Sequence, residues 1–89
     1  MTRTEVYEQL TEIFRDVFDN EELTIEDSTS AEDIEEWNSL NHVTLVMEVQ
    51  ETWNFKIKPQ QIGPLKNVGQ FVDLILSQVN EQVTTHYKD

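Results

Sequence analysis

Two side chains in the stretch "EEWNSLNHVTLVMEV", residues 35–49, could do chemistry: the hydroxyl of Ser39 and the imidazole of His42. On a helix, residues three apart share a face, so the imidazole could assist the hydroxyl. A serine hydrolase needs more than this pair. It needs an oxyanion site and a glycine-shaped turn that presents the nucleophile, and the stretch contains no glycine. Hydrolysis is therefore disfavoured, and a solvated imidazole is the simpler reading of His42. A serine at a helix start ordinarily serves as a cap, its oxygen accepting a backbone N–H. Asn38 stands immediately before it and caps equally well, which would leave the Ser39 hydroxyl free.

The helix that Ser39 opens is unusual in its apolar pattern. At ~100° of rotation per residue, Leu40, Val43 and Met47 gather on one side, and Leu45, Val46, Val49 and Trp53 gather on roughly the opposite side. A helix buried all round would explain both stripes. Thr44 and Glu51, however, fall near the middle of the first stripe. That stripe is read as an exposed contact surface, with Ser39 at its edge one turn before Val43.

The rest of the chain must position this helix. Residues 4–18 place Val6, Leu10, Ile13, Phe14, Val17 and Phe18 at helical spacing, with Thr2 or Thr4 as the cap. Residues 19–37 carry nine carboxylates and no base, half of the 18 acids in the chain. That density of charge favours disorder, but Leu23, Ile25, Ile34 and Trp37 recur through it and would pin the loop to the core. The central helix spans Ser39–Trp53, and Pro59 forbids its continuation. Residues 60–66 allow no more than one helical turn before Gly63-Pro64 interrupts them. A last helix starts after Asn67, with Gln70 placed to complete a capping box and Val68, Phe71, Val72, Ile75, Leu76 and Val79 as its stripe. No segment alternates as a strand would. The expected fold is all-α: a small four-helix bundle, three main helices plus one short helix, with a long acidic first loop. One domain over residues 1–82 is expected, followed by a frayed tail at 83–89.

Composition narrows the function. A chain of 89 residues buries roughly 60–65% of its unfolded surface, which favours a simple module over a deep enzyme cleft. The net charge of −12 repels nucleic acid and anionic membranes and favours basic protein surfaces. There is no Cys, so the chain has neither disulfides nor a thiol of its own. The acidic loop lacks the glycine and the ligand spacing of a calcium loop, and no metal site is expected. No segment reaches the ~18 apolar residues of a membrane span, and the N-terminus lacks a signal-peptide run, so a cytoplasmic protein is expected. An unmodified acidic module that docks partners through Leu40, Val43 and Met47 would satisfy all of this.

The sequence also resembles a known family. "IEEWNSLNHVTLVMEVQETWNFKI" is similar to the central motif of acyl carrier proteins: an acidic loop, Asp-Ser-Leu, and a helix with apolar i, i+3, i+7 residues. "IGPLKNVGQFVDLI" looks like that family's ending, a short third helix and a capped fourth. The match spans residues 5–79, and Trp37 is reminiscent of stand-alone carriers with Trp-Asp-Ser-Leu. The resemblance implies a carrier without catalytic activity, monomeric, modified at Ser39 with 4′-phosphopantetheine by a holo-carrier-protein synthase. The arm's thiol would hold acyl or aminoacyl groups as thioesters, as in fatty acid or polyketide biosynthesis. By the same resemblance, Leu40, Val43, Met47 and Ile57 would touch client enzymes, and Glu48 and Glu51 would meet their basic rims. Val46, Ile62, Leu65 and Phe71 would line a cavity for the acyl chain. The sequence departs from the family at Asn38, where Asp is usual, at Asn41 and Thr44, where acids are common, and in the basic pair Lys56 and Lys58.

Overall fold

Each long helix starts where a polar side chain can meet amides that have no partner inside the helix. A computed structural model describes the backbone of residues 1–88 and the side chains of residues 1–79. Its elements are α1 (Arg3–Val17), α2 (Ser39–Trp53), α3 (Pro59–Ile62) and α4 (Val68–Lys88). Thr2 is the cap of α1: its Oγ1 accepts the Glu5 N–H at 3.2 Å, and Glu5 accepts the Thr2 N–H at 2.8 Å. Asn67 and Gln70 form the same reciprocal pair at the start of α4, at 2.8 and 3.1 Å. Pro59 opens α3, where its missing N–H costs nothing. The expected architecture of three main helices and a short one is the one found. The expected boundary between a domain ending at 82 and a tail at 83–89 falls where side chains lie outside the described residues.

The α1 capping box carries a pH dependence. The backbone and side-chain hydrogen bonds of Thr2 hold the Glu5 carboxyl below its ordinary range. A depressed folded-state pKa means stability that is present above the ordinary value and is lost as pH falls through the folded one. Wild type is therefore expected to be more heat-stable than Glu5→Ala near neutrality, with the gap closing below about pH 4, the region where a free glutamate titrates. Paired thermal melts across that range measure it.

The core is a single apolar cluster. Val6, Leu10 and Phe14 of α1, Leu45 and Val49 of α2, and Phe71, Val72 and Ile75 of α4 are all fully buried or nearly so. Val17, Leu76 and Val79 pack at its margin. α2 ends at Asn54, in the left-handed conformation (φ 55°) that Asn tolerates better than most residues. The chain then alternates: Phe55 and Ile57 point inward, Lys56 and Lys58 outward.

The acidic loop is fastened at the four expected points, with Ile34 and Trp37 buried and Leu23 and Ile25 half-buried against the core. Backbone contacts add to this. Arg15 donates to the Leu23 carbonyl at 2.8 Å. The Thr29 and Asp27 carbonyls accept the Val68 and Gly69 N–H groups at 2.8 and 3.0 Å, so the loop satisfies the first amides of α4. A Cβ at position 69 would lie 3.1 Å from the Asp27 carbonyl oxygen, which accounts for glycine there. Arg3 clamps Asp27 at 2.8 Å and Asp73 at 2.9 Å. Among the described residues no helix is long and apolar enough to cross a membrane.

Candidate functional site at the mouth of α2

Asn38 is the cap of α2. Its backbone is extended (φ −102°, ψ −178°), and its Oδ1 accepts the Asn41 N–H at 2.9 Å. Asn41 in turn donates from Nδ2 to the Glu36 carbonyl at 2.7 Å, tying the helix start to the end of the loop. Ser39 is the first residue inside the helix, is exposed, and takes no part in the cap. The division of labour expected from the Asn-Ser pair is the one found. The hydroxyl also stands at the positive end of the α2 dipole, with no acid in the first turn to offset it.

Ser39 lies on the rim of an open groove of about 420 Å³ between α2 and the segment after α3, lined by Ala31, Trp37, Asn38, Ser39, His42, Val43, Gly63, Leu65 and Lys66. Beyond the groove runs the outer stripe of α2. Leu40, Val43 and Met47 are 76%, 52% and 57% exposed, unusually open for side chains of their size. Glu48 and Glu51 are exposed on the same helix.

Other expected site residues lie elsewhere. Ile57 is buried, its side chain packed in the core. Of the four residues assigned to a cavity, Leu65 lines the groove. Val46 and Phe71 are buried in the core, and Ile62 packs half-buried against it.

His42 differs from its expected solvated state. Trp37 Nε1–H donates to His42 Nδ1 at 2.9 Å, and His42 Nε2 lies 3.1 Å from the Ile62 carbonyl oxygen. The imidazole is stacked on the indole, with ring centroids 6.1 Å apart and planes at 19°. The signal that could have revealed this is Trp37 itself, because a buried indole N–H requires an acceptor.

The cap makes one prediction. Asn38→Ala should cost about 1 kcal/mol by urea unfolding, the usual value of a lost cap. Asn38→Asp keeps the hydrogen bond and adds charge at the helix start, worth about 0.3–1 kcal/mol in favour. Glu35 and Glu36 next to it hold the gain to the low end of that range.

No family model matches the sequence, and neither does any curated protein. Among solved structures, the chain is similar to the holo acyl carrier protein from Geobacter metallireducens. The two share 33% identity and superpose with a TM-score of 0.81, over 88% of this chain and 90% of that one.

Proposed function

This chain belongs to the acyl carrier protein family, and we propose that Ser39 is the residue through which it carries its cargo, modified by a phosphopantetheinyl transferase. The observation that supports this most directly is the division of roles at the helix mouth: Asn38 caps, and Ser39 presents an exposed hydroxyl. The surroundings fit a 4′-phosphopantetheine group. The Ser39 Oγ is open to a transferase, the positive end of α2 favours the phosphate that would be attached there, and the groove beside it has room along its walls for an extended arm. When bound, that group supplies the thiol that this cysteine-free chain lacks, on which acyl or aminoacyl groups are held as thioesters.

The chain's own residues do the remaining work. Leu40, Val43 and Met47 offer client enzymes an apolar ridge. Glu48 and Glu51, backed by the net charge of −12, guide basic rims onto it. Such charges set encounter rate and register more than final affinity, which suits a shuttle that binds and leaves quickly.

Incubation with coenzyme A and a broad-specificity phosphopantetheinyl transferase is expected to raise the intact mass by one arm. Failure with several such enzymes would remove the reading. It would leave the unmodified docking module, which the exposed α2 stripe supports independently.

A further inference from the structure

His42 ties α2 to its neighbours beside Ser39. It lies one helical turn below Ser39 on the same face of α2, among the residues that line the groove. Its ring joins three elements. An indole N–H can only donate, so the contact with Trp37 at 2.9 Å requires an unprotonated Nδ1. The ring proton then sits on Nε2 and donates to the Ile62 carbonyl at the end of α3, 3.1 Å away. The ring also meets Phe71 of α4 edge to face, centroids 5.9 Å apart at 67°. Behind it Val46 and Phe71 are 3% and 0% exposed, and neither is among the residues that line the groove.

Resting on the carrier reading of Ser39, we propose that His42 is a specificity-determining bolt that closes the bundle interior, so that this carrier takes short or polar acyl groups and keeps them in the outer groove. An alkyl chain running inward from Ser39 would have to separate α2 from α3 at this ring. It would leave the Trp37 N–H and the Ile62 carbonyl without partners in a half-dry site, where unpaired polar groups are disfavoured. The groove makes no such demand. Its walls combine Val43 and Leu65 with the polar groups of Asn38 and Lys66, a lining suited to a small group with a polar end.

The test loads the chain with butanoyl or tetradecanoyl pantetheine from the matching coenzyme A thioesters, with loading verified by intact mass. In wild type the two forms are expected to unfold at the same temperature, with no nuclear Overhauser contacts from acyl protons to Val46 or Phe71. In His42→Ala the tetradecanoyl form alone should gain heat stability and show those contacts. Wild-type contacts to Phe71, or a midpoint that rises with chain length, would overturn the proposal. A second measurement needs no loading and no variant: the ¹⁵N spectrum of the imidazole should show Nε2–H, with slow exchange of the Trp37 indole proton. An Nδ1–H ring or a rapidly exchanging indole removes the bolt. A chain that cannot be loaded removes the carrier reading instead, and the imidazole spectrum then judges the bolt alone.

Discussion

Replacing Trp37 with alanine is expected to remove about 3–5 kcal/mol of stability, the usual cost of emptying a large buried aromatic site. A domain of this size holds about 5–10 kcal/mol in total, so the urea midpoint should fall by about a third or more. The reason is where the loop delivers this side chain. The indole packs edge-on against Phe14 at 5.2 Å and lies 6.1 and 6.2 Å from Phe18 and Phe71, joining α1 to α4 from a segment that belongs to neither. Its N–H also holds His42. Trp37→Phe separates the two contributions: it refills most of the volume but leaves Nδ1 of His42 unpaired, and should cost about 1–3 kcal/mol. Equal losses in the two variants would mean that the hydrogen bond, rather than the packing, dominates.

The second large effect is functional and leaves the fold alone. Ser39→Ala should abolish the mass gain on treatment with coenzyme A and a transferase, while the unfolding free energy stays within about 0.5 kcal/mol of wild type, as for an ordinary surface change. Alanine is a better helix former than serine, and the cap of α2 belongs to Asn38. Asn38→Ala should behave in the reverse way, losing stability while keeping the nucleophile. A variant at position 39 that melts early would return the serine to a capping role and weaken its assignment as the attachment point.

Much of this was legible in the sequence because the signals are local. The two-sided apolar pattern of α2 follows from residue spacing alone, and Leu40, Val43 and Met47 are exposed as that spacing requires. The Asn38–Ser39 pair could be read because a cap acts within three residues of itself. The four apolar pins of the acidic loop were equally clear. The burial of Ile57 is legible by a different period. The chain turns at Asn54 and then runs extended. The alternation in Phe55-Lys56-Ile57-Lys58, with period two, reads as apolar in and basic out, as found. His42 was legible only in half: the Trp37 indole asks for an acceptor nearby, but the other contact leaves no mark in the sequence. One of its partners is a main-chain oxygen twenty residues away, and every residue type offers that same group.

The loop that caps α4 binds the two together as one folding unit. Carbonyls at Asp27 and Thr29 close off amides at Val68 and Gly69, so the opening turn of the last helix gains these partners only when a segment from the first third of the chain has come to meet it. Contacts of such long sequence separation are made late and slowly. A deletion between α1 and α2 would then be felt chiefly as fraying at the beginning of α4, and amide exchange at Val68 would register the damage first.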